Sequence, residues 1–241
     1  MEPTTFQWIA LFGITAAVIN GIGIYAIHRY REYAEKAKTY LMCFAAGILI
    51  TVPLTLALPK AIGKAPRAGF VALGGFLFMY LSNQLVKKYT EGKDAAFGVT
   101  AAEGIGIHSF IDGIVYTVTF QASVLIGILA GLGMVIHEFA EGVITYLVLT
   151  KGGISKRTSI LYSFLIAGLT TPIGAFIVYP LVSTIKDTTL GLMLGFASGV
   201  LLYVSSSHLL PEAREHEEEH SSIALLAGVG LALMIVLLKS S

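Results

Sequence analysis

The 241-residue sequence has few charged residues: Asp, Glu, Lys and Arg make up 13% of it, against 55% hydrophobic residues. A soluble domain has about 25% charged residues, and it needs them to cover its surface, so this composition excludes an ordinary soluble domain. The single cysteine, Cys43, excludes an internal disulfide framework and a cysteine-rich zinc site. The net charge of +1 shows no basic excess, so nucleic acid is not an expected partner.

Long apolar runs are what the sequence has instead. They predict eight helices, at about 6–27, 40–58, 68–86, 97–120, 123–149, 158–180, 188–210 and 221–238. A bilayer crossing takes about 20 apolar residues, and continuous runs without ten-residue alternation exclude a membrane barrel. No Lys or Arg precedes the first run, so we do not expect a cleaved signal peptide. The predicted fold class is all-α: a polytopic membrane protein forming one transmembrane domain over residues 1–241.

The basic residues predict the orientation in the membrane. Eleven of the 16 Lys and Arg residues fall on one side, in the links between helices 1–2, 3–4, 5–6 and 7–8, and five fall on the other. Lys and Arg are enriched in cytoplasmic loops. We therefore expect a multi-pass protein of the cell membrane with both termini outside the cytoplasm, and with no Lys or Arg inside a span.

An internal repeat links the two halves of the chain. At an offset of 152 residues, FAAG at 44–47 corresponds to FASG at 196–199, and LPKA at 58–61 corresponds to LPEA at 210–213. Because the two units start from opposite sides of the membrane, they predict inverted three-helix repeats, a feature of transporters. The expected arrangement is 3+2+3: a first repeat at about 6–86, a central pair at 97–149 and a second repeat at about 158–238.

Six ionisable side chains lie within the two central spans. They are Glu103, His108 and Asp112 on helix 4, and His137, Glu138 and Glu141 on helix 5. An acidic residue at the bilayer centre costs about 2.5–3.5 kcal/mol on insertion scales, and no Lys or Arg is inside to pair with these acids. Either the acids stay protonated or a cation from outside compensates them.

The spacing favours a cation. His108 and Asp112 are four residues apart on one helix face, and His137 and Glu141 repeat that spacing. Antiparallel helices joined by a short turn can bring the two pairs to the same depth. Two imidazoles and two carboxylates suit Zn²⁺ or another first-row divalent ion. Glu103 lies nearer the cytoplasmic end of helix 4. It is either an acid at the membrane interface or a residue on the exit path of the metal.

These residues resemble the ZIP (Zrt- and Irt-like) family of divalent-metal transporters. The resemblance rests on four segments: HSFIDG at 108–113, HEFAEG at 137–142, AGLTTPIGA at 167–175 and LLPEA at 209–213. It implies eight helices, outward termini and movement of zinc, iron or related ions into the cytoplasm. By position it implies a primary site of His108, Asp112, His137 and Glu141. It also implies a second, weaker site, found in some members, of Ser109, Glu138, Glu141 and Thr171.

The sequence departs from the family pattern in three ways. Ser109 and Thr171 stand where Asn and Glu are frequent, and both are poorer metal ligands. Ile111 and Ala140 replace a Pro that would kink each helix and free backbone carbonyls. His208 stands on helix 7 where an acid is common in the family. It is either an additional ligand on the metal path or an imidazole packed between helices.

The expected function is transport of a divalent metal, with zinc first and iron, manganese or cadmium as further candidates. The metal is then substrate, no cofactor is expected, and the chain is not expected to be an enzyme. One alternative is a proton-coupled carrier of another solute. A second is a membrane-embedded metallohydrolase, because 137–141 echoes His-Glu-x-x-His, although its last position is Glu141. The expected partners are a divalent ion and membrane lipid, and a homodimer is left open.

Overall fold

The computed structural model describes residues 4–90, 94–215 and 220–240. Within these ranges the chain is helical and has no β-strand. The helices are α1 (Thr5–Arg29), α2 (Arg31–Lys64), α3 (Ala68–Thr90), α4 (Asp94–Ala122), α5 (Val124–Lys151), α6 (Lys156–Val182), α7 (from Asp187 to Glu215) and α8 (Ser221–Ser240).

Most of these helices can cross a membrane. In the described part of the chain, seven are long and apolar enough: α1, α2, α3, α5, α6, α7 and α8. The remaining helix, α4, has 29 residues and packs against α5 and α6. The structure therefore confirms an all-α polytopic membrane protein, and most helix ends lie within a few residues of their predicted positions.

The second helix is an exception. It was predicted at 40–58, but α2 begins at Arg31, and Tyr30 alone separates it from α1. The prediction was wrong because a search for apolar runs treats a charged stretch as a loop, whereas Arg, Glu, Lys and Ala all favour helix. Arg31 also pairs with Glu35 one turn later, with Nε 3.0 Å from Oε1. As a result Lys38, expected in an exposed link, is buried in α2.

Three helices contain a wider π-helical turn. These turns are Pro53–Ala57 in α2, Phe164–Gly168 in α6 and Val204–Leu209 in α7. A proline follows each within a few residues: Pro59, Pro172 and Pro211. Because proline lacks an N–H and its ring clashes with the carbonyl one turn earlier, a local widening of the helix relieves the strain. By contrast α4 and α5, with Ile111 and Ala140 in place of proline, run as uninterrupted α-helices.

The helices pack in two groups. One group contains α1, α4, α5 and α6, and the other contains α2, α3, α7 and α8, with α2 also contacting α5. In the first group α1 packs on α5, and α6, its counterpart in the repeat, packs on α4. In the second group α2 packs on α8, and its counterpart α7 packs on α3. This pairing pattern and the matching π turns of α2 and α7 support the inverted repeat. The 3+2+3 division itself stays a prediction, because α4 and α5 lie beside α1 and α6 rather than apart.

Candidate metal site

The two His-acid pairs meet between α4 and α5. Only Ser123 separates these antiparallel helices, so the pairs lie at the same depth. His108 Nε2 lies 3.6 Å from Asp112 Oδ2 and 3.5 Å from Glu141 Oε1. His137 Nε2 lies 3.3 Å from the same Asp112 oxygen. Each of the four residues offers one ligand atom, and no two of these atoms are more than 4.8 Å apart.

These four atoms are buried and have no hydrogen-bond partner among the described residues. They are His108 Nε2, Asp112 Oδ2, His137 Nε2 and Glu141 Oε1. Leaving a buried polar atom unpaired costs about 1–3 kcal/mol, so four converging on one point need an explanation. A cation between them would serve all four at once.

Two other polar atoms of the cluster, His137 Nδ1 and Glu141 Oε2, form hydrogen bonds that orient their side chains. His137 Nδ1 bonds the carbonyl oxygen of Met134 on the preceding turn. That bond places the proton of a neutral imidazole on Nδ1 and leaves the Nε2 lone pair facing the cluster. The Ser109 hydroxyl donates to Glu141 Oε2 at 3.0 Å, which leaves Oε1 directed at the ligand atoms.

Glu138 is buried nearby but does not belong to the converging group. Thr171 on α6 donates its hydroxyl to Glu138 Oε1 at 2.7 Å. Asn20 on α1 donates Nδ2 to Glu138 Oε2 at 3.0 Å. The resemblance implies that Thr171 and Glu138 are both ligands of a second metal site. In the structure the two side chains are hydrogen-bonded to each other.

Two further predicted residues lie at the edge of the site. The half-buried His208, in the π turn of α7, has its ring centroid 5.4 Å from that of His108, at an interplanar angle of 79°. The structure thus brings a third imidazole to the cluster from the other helix group. Glu103 lies on α4, but its side chain is outside the part of the structure that is described.

The glycines that follow each pair allow close helix packing. A Cβ at Gly113 would overlap the Thr171 carbonyl oxygen of α6, and a Cβ at Gly142 would overlap the Asn20 carbonyl oxygen of α1. These contacts hold α6 against α4 and α1 against α5, and thereby bring Thr171 and Asn20 within reach of Glu138.

Asn20 is a site residue that the sequence analysis missed. It is completely buried on α1, and its Oδ1 atom has no partner in the described structure. The available signal was an amide side chain inside an apolar span, which is unusual in a membrane helix unless it bonds another helix. Asn20 carries no charge, so the charge argument that identifies the acids and histidines of α4 and α5 does not reach it.

Long apolar helices around a buried cluster of two imidazoles and two carboxylates define a polytopic membrane protein with a candidate metal centre. Comparison with known proteins gives the family. Residues 96–237 match the family model described as ZIP Zinc transporter. The Zinc transporter ZupT of Chlorobium limicola is 31% identical, over 93% of this chain and 95% of its own length.

Two further relatives carry the same name. The Zinc transporter ZupT of Chlorobium luteolum is 30% identical over 98% of this chain and 99% of its own length. That of Clostridium perfringens is 40% identical over 58% of this chain and 50% of its own length. The chain therefore belongs to the ZIP zinc transporter family, which confirms the resemblance seen in its motifs. It is a multi-pass membrane transporter of divalent metal and not an enzyme.

Proposed function

We propose that this chain moves a divalent metal cation, with zinc as the first candidate, across the cell membrane toward the cytoplasm. The ion would be held by His108, Asp112, His137 and Glu141 near the middle of α4 and α5. The observation that carries the proposal is the convergence of four buried, unpartnered ligand atoms on one point.

The spacing of these atoms fits zinc. Zinc bonds imidazole nitrogen and carboxylate oxygen at about 2.0–2.2 Å in tetrahedral geometry, so its ligand atoms lie about 3.3–3.6 Å from one another. Three of the six separations between the ligand atoms measure 3.3, 3.5 and 3.6 Å, and none of the six exceeds 4.8 Å. Two neutral imidazoles and two carboxylates also balance the charge of one divalent ion, which removes the cost of two unpaired buried anions.

Iron, manganese and cadmium remain candidates as substrates. In the general order of divalent affinities, zinc binds more strongly than manganese or iron. The ion transported in the cell is also determined by the geometry of the site and by the availability of each metal. The direction of transport rests on the family resemblance, and the expected cytoplasmic face rests on the 11 basic residues on that side. A homodimer stays open, and light scattering of the purified protein would test it.

The site lies where the two helix groups meet, and this supports alternating access. The four ligands belong to α4 and α5, whereas His208 belongs to α7 of the other group. Movement of one group against the other would separate His208 from His108 as the ion passes. His208 and Glu103 would then be further contacts along the path of the ion. The resemblance also implies a second site of Ser109, Glu138, Glu141 and Thr171, and the number of ions bound per chain would test it.

Uptake of Zn²⁺ into proteoliposomes that contain a zinc-sensitive dye tests the proposal. The double variant H108A/D112A should abolish uptake, because it removes one imidazole and one carboxylate from the centre. The matched control is H28A/D187A, which removes the same two residue types where they bond Tyr146 and Lys64. Normal uptake by H108A/D112A would rule the site out.

The same vesicles test the remaining alternative. A proton-coupled carrier of another solute would show proton flux that requires Asp112 or Glu141 but does not require a divalent ion. No divalent ion would then bind the purified protein in calorimetry. Metal-dependent uptake with a saturable dependence on Zn²⁺ concentration supports the metal transporter.

A further inference from the structure

The hydrogen bonds of Glu138 set it apart from the other acids of the centre. The side chain is fully buried, and each of its oxygens accepts a hydrogen bond from a different helix. Thr171 of α6 is the donor to Oε1, at 2.7 Å, and Asn20 of α1 is the donor to Oε2, at 3.0 Å. We call these two donors and Glu138 the carboxylate clamp.

Glu141 provides the internal comparison, since it is also a buried glutamate and lies one turn further along α5. Ser109 donates a hydrogen bond to its Oε2, but Glu141 Oε1 has no hydrogen-bond partner among the described residues and lies 3.5 Å from His108 Nε2. Glu138 has no such unpartnered oxygen. A carboxylate can coordinate a metal only through an oxygen that is directed at it, and both Glu138 oxygens are directed at donors on α1 and α6.

We infer that Asn20 and Thr171 are positioning residues that hold Glu138 outside the ligand set, so that the centre takes one divalent ion rather than two. This inference rests on the proposed function. Neither donor carries a charge, and neither is a strong metal ligand: an amide nitrogen presents hydrogen atoms to Glu138, and a hydroxyl is a weak donor of electrons to zinc.

The charge of the site supports the same assignment. One divalent ion neutralises Asp112 and Glu141, so a third carboxylate in the same shell would leave the centre with a net negative charge. Two hydrogen bonds to Glu138 stabilise that carboxylate where it is. Without them it would be a buried anion with no partner, which either a proton or a second cation would neutralise, and excess Zn²⁺ supplies the cation.

The test is the number of Zn²⁺ ions bound per chain, measured by equilibrium dialysis and elemental analysis of the purified full-length protein. The wild type should bind one ion. The double variant N20L/T171V, which removes both donors with little change in side-chain size, should bind two. The matched control N83L/T117V should bind one, since it removes an amide bond to Tyr203 at 2.8 Å and a hydroxyl bond to the Ala175 carbonyl at 3.1 Å.

A purely structural role for Asn20 and Thr171 would lower the melting temperature of N20L/T171V and of its control alike without changing ion number. One ion per chain in N20L/T171V would therefore overturn the inference. Two ions in the wild type would overturn it as well, and that measurement needs no variant to fold. A wild type that binds no ion would instead refute the proposed function, so the two failures are distinguishable.

Discussion

His137 Nε2 lies 3.3 Å from Asp112 Oδ2 across the boundary between α5 and α4, and neither atom has a hydrogen-bond partner in the described part of the chain. Both side chains are almost fully buried. Without an ion, the pair is held together by the packing of the helices around it. A bound cation would give both atoms a partner and would therefore stabilise the folded protein.

Replacing Asp112 by Asn should raise the stability of the metal-free protein and weaken its binding of zinc. The amide is neutral and can donate to a neighbouring acceptor, so the metal-free protein should gain about 1–3 kcal/mol of unfolding free energy, the scale of a buried unsatisfied group. Zinc at about 100 times its Kd should stabilise the wild type by about 2.7 kcal/mol and the variant hardly at all. Thermal unfolding with chelator and with zinc measures both effects. A D112N protein that still responds to zinc would contradict the assignment of Asp112.

Replacing Gly142 by Ala should destabilise the protein and weaken the site. The new methyl group would overlap the Asn20 carbonyl oxygen of α1, and overpacking of this kind costs about 1–3 kcal/mol. Gly230 on α8 is the control, because a Cβ there meets nothing within 4 Å and alanine favours a helix by about 1 kcal/mol over glycine. Denaturation should rank G230A above the wild type and G142A below it, and equal stabilities would refute the close approach of α1 to α5.

Replacing Ser109 by Ala should lower metal affinity without removing the site. The hydroxyl bonds Glu141 Oε2 at 3.0 Å as well as the Ile105 carbonyl of its own helix at 3.0 Å, and loss of a partner that orients a metal ligand typically costs about 10–100-fold in affinity. S198A is the control, since the Ser198 hydroxyl is buried and bonds only its own helix, at the Leu194 carbonyl. Competition with a zinc-sensitive dye measures the affinities. If S109A and S198A bind zinc equally well, Ser109 does not orient Glu141.

Replacing His208 by Ala should slow transport more than it weakens binding. The ring lies beside His108 but comes from the other helix group, and it is not one of the four converging ligands. We therefore expect an uptake rate reduced about tenfold, which corresponds to about 1.4 kcal/mol of barrier, with zinc still bound. Stopped-flow uptake together with equilibrium binding separates the two quantities. Loss of equilibrium binding in H208A would make His208 a ligand instead.

Much of the site could be predicted from the sequence because its signals are local. His108 with Asp112, and His137 with Glu141, are four residues apart, and a helix places such residues on one face. The turn between α4 and α5 is so short that the two pairs must face each other at one depth. These relationships involve only neighbouring residues and one connection, so they do not depend on how the remaining helices pack.

The remaining features could not be predicted because they depend on packing between distant helices. Asn20 reaches Glu138 across 118 positions of sequence, and nothing near Asn20 indicates which helix it will face. His208, in the π turn of α7, meets His108 across 100 positions of sequence. The predicted start of α2 was wrong for another reason. Apolar runs locate the part of a helix that lies inside the membrane, and they miss its charged continuation, which begins at Arg31.

The central claim is that four residues of α4 and α5 hold the transported ion. Anomalous X-ray diffraction at the zinc edge, from crystals of the full-length protein grown with Zn²⁺, tests this most directly. We predict a single strong peak within about 2.0–2.2 Å of His108 Nε2, Asp112 Oδ2, His137 Nε2 and Glu141 Oε1. A strong peak elsewhere in the membrane-spanning region, with none between these four atoms, would contradict the account.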